Sequence, residues 1–281
     1  MATFGNYTLL EPIGRGDMGT TYRAQAQGSS DIVALKVLDK VEITSVGQLG
    51  SAVDLARFAA TFSHPRLHPT LEVIEIEEGD GGQIGIVTPF AAAGPLSAVF
   101  ARGTKIPPKQ TFKVLGQLAS ALQHLHDQEV AHGSVKPTNV LLDAEGNAAL
   151  TDLSMAHLRE LGLVPADGPT RQHLFFMAPE REYHAAPEVI GDVFSLGVLA
   201  AMMFTGRLPF DQPEPEARGV LQIEGVPPAI AAVLRRELNP QLRWRYTDLG
   251  SFMGALKEAT QGKVDPETER LFGVKQPPPE P

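Results

Sequence analysis

The stretch LQHLHDQEVAHGSVKPTNVLL, residues 122–142, decides how the rest of the chain is read. Its first half closes a long amphipathic run. Across residues 109–127, Phe112, Leu115, Leu118, Leu122 and Leu125 recur at helical spacing and form one apolar face. Its second half places His132, Gly133, Ser134, Lys136 and Asn139 in a short polar segment. His124 and His126 at the helix end are expected to pack there, because no further ligand is spaced to share a metal with them.

Upstream of this stretch the chain reads as strands. Residues 7–13 and 20–24 flank a Gly-rich turn, and residues 31–38 alternate apolar and polar before turning nearly continuous. Residues 48–62 have helical spacing through Leu49, Val53, Ala56 and Ala60. Residues 71–77 and 83–88 read as a hairpin around Gly79-Asp80-Gly81-Gly82. Downstream the chain is mostly helical. Residues 189–205 are almost wholly apolar, which predicts burial on every side, and residues 230–238 and 249–259 predict further helices. Strands first and helices afterwards predict an α+β chain with a small β-rich lobe and a larger helical one. The expected division is residues 1–87, a hinge at 88–94, a second lobe at 95–260, and a Pro-rich tail at 261–281.

The composition excludes several functions. The 281 residues are enough for a sizeable core, and 43% apolar with 20% charged is ordinary globular usage. A net charge of −9 leaves no basic excess to meet phosphates, so neither a nucleic acid nor an anionic membrane is an expected partner. The absence of cysteine rules out disulfides and thiolate metal sites and suits a reducing cytoplasm, the expected location. The first ten residues lack a charged segment followed by an apolar one, so no signal peptide is expected. The longest apolar run falls far short of the ~20 residues that span a bilayer.

Gly14, Gly16 and Gly19 form G-x-G-x-x-G, a pattern that lets backbone N–H groups approach phosphates. A dinucleotide fold wants a helix after these glycines, whereas residues 20–24 read as a strand. Lys36 ends the next strand, in Val33-Ala34-Leu35-Lys36.

With residues 122–142, these motifs resemble the protein kinase superfamily, and most of all the bacterial Ser/Thr kinases of eukaryotic type. Asp152 falls where kinases carry Asp-Phe-Gly. Ala178-Pro179-Glu180 matches their Ala-Pro-Glu, and Asp192 opens a matching buried helix. The resemblance runs from about residue 7 to residue 260. It implies a two-lobed kinase-like fold that binds ATP and Mg²⁺. Gly14, Gly16, Gly19 and Lys36 would hold phosphates, Ala34 and Leu141 would sandwich adenine, Thr88 would be the gatekeeper, and Asn139 and Asp152 would hold the metal. Pro89 has no N–H, but the family uses that residue's carbonyl and the N–H two residues on, here that of Ala91. Thr21 stands where the family usually has valine. Asp192 would tie the catalytic loop, and Glu180 would pair with Arg243 or Arg245. Trp244 is expected in the core.

The departures point the other way. The family's catalytic loop places an aspartate where this chain has Ser134, two residues before Lys136. A hydroxyl, uncharged at neutral pH, cannot accept the substrate proton, and general-base assistance is typically worth ~10²–10⁴ in rate. Gly133 replaces the arginine that grips an activation-loop phosphate, and Thr170 is the sole Ser or Thr between Met155 and Glu180. The glutamate that pairs with the strand lysine falls on Leu55. Asp54 is adjacent but turned by ~100°, so only a shifted register would restore the pair. Ser154 replaces the glycine of Asp-Phe-Gly. The expected function is therefore a catalytically deficient pseudokinase with retained ATP-binding elements, acting on a protein partner as scaffold or allosteric regulator. The alternatives are a weak or atypical Ser/Thr kinase and a nucleotidyl-transferring enzyme on the same fold.

Overall fold

The computed structural model describes residues 2–16, 18–39, 46–78, 81–103, 106–161, 171–181, 186–214 and 217–272. The first part is an antiparallel sheet of β1 (Thr3–Phe4), β2 (Tyr7–Gly16), β3 (Gly19–Ala26), β4 (Ile32–Leu38), β5 (Glu72–Glu78) and β6 (Gly81–Pro89), in the order β1-β2-β3-β4-β6-β5. Period-two alternation decides which side chains face which way. Val33 and Leu35 of β4 enter a cluster with Phe4, Ala24, Ile74 and Val87, so Ala34 and Lys36 face the opposite side, toward the helical part. Register shifts on either side of Pro12 bend β2, as expected where a residue cannot donate to the ladder.

Helix α1 (Val46–Ala59) lies between β4 and β5 in sequence and packs Leu49, Ala52, Val53 and Ala56 on Ile84 and Ile86. After Pro89 the chain turns through Gly94, at φ +75°, into helices. These are α2 (Leu96–Ala101), α3 (Pro108–His126), α4 (Ser154–Glu160), α5 (Arg171–Phe176), α6 (Val189–Thr205), α7 (Pro228–Glu237), α8 (Leu249–Ala259) and α9 (Pro266–Phe272), with the hairpin β7 (Val140–Leu142) and β8 (Ala148–Leu150) between α3 and α4. Proline opens both α3 and α7, where its missing N–H costs nothing. Gly206, at φ +79°, ends α6. Asp248 caps α8 by accepting the Ser251 N–H at 2.7 Å. The large core joins one face of α3 to the buried length of α6 and to α7 and α8. Among the described residues no helix is long and apolar enough to cross a membrane.

Three expectations change. Residues 266–272 of the expected tail form a helix docked on α7, where Arg236 reaches Asp265 at 2.6 Å and also pairs with Glu267; residues 273–281 lie outside the described residues. Trp244 is half-buried rather than core, with the Arg243 and Arg270 guanidinium groups 5.1 and 5.8 Å from its ring. Ser154, placed by sequence in a turn, instead starts α4, whose Met155 and Leu158 pack into the α1 cluster.

Candidate functional site

Between sheet and helices lies a cleft of about 540 Å³. Its outer part is apolar. Ala34 reaches it from β4, Thr88 from β6, Leu141 from β7, and Ala91 from the connection between the two parts. Gly14 and Gly16 line its roof. Gly19 does not line it. Gly19 sits in the β3–β4 ladder, where an added Cβ would come 2.3 Å from the Val37 carbonyl oxygen, so its lack of a side chain admits the neighbouring strand. The Pro89 carbonyl is bonded by His68 Nε2 at 2.9 Å, a partner that nothing in the sequence pattern marked.

The inner part brings together Lys36, Ser134, Lys136, Asn139 and Asp152. Asp152, at φ +68°, is paired with Lys36. No carboxylate comes from α1: the side chain at the expected position is Leu55, packed against the cluster that includes Met155 and Leu158. Asp54 is exposed on α1, so the shifted register that would have restored the glutamate's role is not adopted. The Asn139 amide donates to the Ser134 carbonyl at 2.9 Å and to its hydroxyl at 3.1 Å, while Thr138 donates to the Asn139 oxygen at 3.3 Å.

The loop carrying Ser134 is fixed from behind. Asp192, fully buried on α6, accepts the N–H groups of His132 and Gly133, each at 2.7 Å, and meets His126 Nε2 at 3.0 Å. His132 Nε2 meets the Thr151 carbonyl at 3.1 Å, and burial lowers the imidazole pKa so that it stays neutral. Gly133 is at φ +68°, and an added Cβ would lie 2.4 Å from Pro187 and 2.7 Å from Ala156. Its carbonyl instead receives Arg181 at 2.8 Å and, more weakly, Arg159 at 3.4 Å. Glu180 pairs with Arg245, not Arg243, through two bonds of 2.8 and 2.7 Å. Thr170 lies outside the described residues.

Arg159 and Gln172 also line the cleft, and sequence reasoning missed both. Arg159 arrives because α4 turns it inward, a helix too short to announce itself by periodicity.

The oxygens that would hold Mg²⁺ are few. Asn139 offers its amide oxygen, and the Asp152 carboxylate already balances Lys36. With phosphate oxygens to complete the set, one carboxylate and one amide oxygen fit a hard dication. No cluster of three or more His, Asp or Glu side chains suited to a metal occurs among the described residues.

Residues 7–248 match the protein kinase domain. The CBL-interacting protein kinase 4 of rice (Oryza sativa subsp. japonica) is 34% identical over 220 residues, covering 74% of this chain and 46% of its own. The Ser/Thr-protein kinase PknE of Mycobacterium bovis is 26% identical over 266 residues, covering 91% and 46%. The chain thus spans less than half the length of these relatives. The crystal structure of the Mycobacterium tuberculosis PknI kinase domain superposes with a TM-score of 0.69 over 92% of this chain and 97% of its own, at 22% identity, a likeness of fold.

Proposed function

Since this chain belongs to the protein kinase family, we propose that it is a member that has kept the nucleotide cleft and lost phosphotransfer, a pseudokinase that works by binding another protein. The observation that carries this reading is Ser134 at the position of the catalytic aspartate, with its hydroxyl engaged by Asn139. Asp152 is the one carboxylate among the described residues that line the cleft, and it is paired with Lys36. A substrate hydroxyl entering here would find no proton acceptor. The apolar outer cleft, Lys36 and the glycine roof favour an adenine nucleotide, the ligand of the family. Cytoplasmic location and the unidentified protein partner belong to the same proposal.

Two measurements test it. Millimolar ATP should raise the melting temperature, by the equivalent of about 2.7 kcal/mol at 100-fold over Kd. Radiolabelled ATP should leave no Lys36-dependent label on peptide or protein. Clear Lys36-dependent transfer would instead favour a weak Ser/Thr kinase, a reading supported by Lys36, Lys136, Asn139 and Asp152 all lining one cleft. Nucleotide bound between the lobes would bias their closure. By reciprocity, a partner should tighten ATP by the factor by which ATP tightens the partner. Equal partner affinity with and without ATP would leave a passive scaffold.

A further inference from the structure

A histidine behind the cleft bears on which base the cleft takes. His68 Nε2 lies 2.9 Å from the Pro89 carbonyl oxygen, the hinge acceptor that the family offers to the base. On the adenine edge the 6-amino group is the donor, so this carbonyl is the group that would read it. A carbonyl can only accept, so Nε2 carries the proton and His68 is the donor. Burial lowers the imidazole pKa, against the bond to Pro89 and the charge of Asp152, and the ring is neutral at pH 7.

The imidazole is anchored through its backbone. Leu150 of β8 accepts the His68 N–H at 2.6 Å and donates to the Arg66 carbonyl at 2.9 Å. The ring lines a small space behind Thr88 and does not line the cleft itself. A carbonyl oxygen has a second lone pair, so its direction matters more than its occupancy. Residues two apart in a strand send their carbonyls to the same edge. Val87, two before Pro89 in β6, gives its carbonyl to the Leu71 N–H at 2.8 Å, and Pro89 gives its own to His68 in the same connecting segment. The Pro89 oxygen is thus turned to the edge of β6 opposite β4, the strand that carries Ala34. Ala91 stays in the cleft lining and brings the other hinge group, an N–H that suits a ring nitrogen with a free lone pair.

Resting on the nucleotide-cleft reading above, we propose that His68 is a positioning residue for the hinge: it withdraws the Pro89 carbonyl from the base, so the cleft takes purine nucleotides without reading the 6-amino group. The ring nitrogen beside that group meets the Ala91 N–H, and packing between Ala34 and Leu141 holds the ring. ATP is a ligand, and an ATP that lacks only its amino group is an equal one.

Calorimetry on the whole chain in excess Mg²⁺ tests this with ATP and purine riboside triphosphate, which carries hydrogen in place of the amino group. Affinities within about twofold of each other are the expected result. ATP tighter by about fivefold or more overturns the proposal and leaves the nucleotide-cleft reading standing. No binding of either, from a sample folded by circular dichroism, overturns both. Two variants isolate the residue, and the parent ratio needs neither of them to fold. His68→Leu frees the carbonyl to turn to the base, and ATP should then exceed the analogue about fivefold, the worth of one neutral hydrogen bond. His68→Gln offers an amide N–H in place of the imidazole one and should hold the ratio near one. A ratio near one in His68→Leu, or one that rises equally in both variants, takes the role away from His68. A merely structural part for the ring would move both nucleotides together and leave the ratio unchanged.

Discussion

The loop from His132 to Asn139 has two sides that have fared differently. Its backbone side faces α6, where Asp192 accepts two N–H groups and His126 closes the arrangement. Its side-chain side faces the cleft, where Ser134 and Gly133 have replaced charged residues of the family. The first side serves the fold and is complete. The second serves the reaction in the family, and there the residues differ. The two demands fall on different atoms of the same residues, so one can lapse without disturbing the other. The Glu180–Arg245 pair, buried on the arginine side, belongs with the frame in the same way.

Breaking the frame should have the largest effect. Asp192→Ala leaves two buried N–H groups unpaired and should cost about 3 kcal/mol or more, a fall in melting temperature of roughly 6–12 °C on thermal unfolding. A change under one degree would mean the two sides are not distinct in kind. Next comes Gly133→Arg, which restores the family's residue. The positive φ and the approach of Pro187 and Ala156 should make it destabilising by about 2 kcal/mol, read as a lower urea midpoint at constant m-value.

A smaller effect depends on pH. Glu237, buried on α7 behind the frame, has its pKa pushed up to about 8 from 4.5 by burial, against the pull of Arg245 and Arg236. Between those values the folded state holds a proton that the unfolded chain has released, so stability falls as pH rises through this window. Glu237→Gln does not titrate, so its melting temperature should gain on the parent chain by a few degrees from pH 6 to 8. A constant gap would remove Glu237 from this role. His132 and His68, both lowered by burial, act in the opposite sense: the unfolded chain takes their protons first, and stability drops as pH falls below the ordinary imidazole value. The smallest effect is expected on the side facing the cleft. Ser134→Asp alone should raise phosphotransfer less than about tenfold, because Leu55 still stands where the lysine's glutamate would be and α4 still replaces the metal turn.

The sheet, α1, α3, α6 and α8 were legible because their apolar residues follow the period of the element that buries them, as Val33 and Leu35 do in β4. Most of the cleft was legible too, since the lining residues sit in motifs with fixed spacing. The rest depends on contacts between distant segments. Helix α4 is seven residues long, and its turn count is too low for a pattern; it forms because Met155 and Leu158 find Leu49 and Ala52 of α1. Helix α9 lies in a segment of acidic and polar residues, and its anchor is Arg236 on α7, thirty positions upstream or so. The Pro89–His68 bond and the inward Arg159 have the same origin. A glycine that admits a neighbouring strand, as Gly19 does, and one that admits a phosphate look alike in sequence.

The space beside Gly133 also bears on what a single substitution can restore. Pro187 and Ala156 occupy what a side chain there would need. An arginine, the residue the family has there, could enter only if both neighbours moved, so restoring it requires concerted change in three segments of the chain. On the pseudokinase proposal, Ser134 is one substitution from the family's aspartate, whereas packing has closed over the place of the arginine at Gly133.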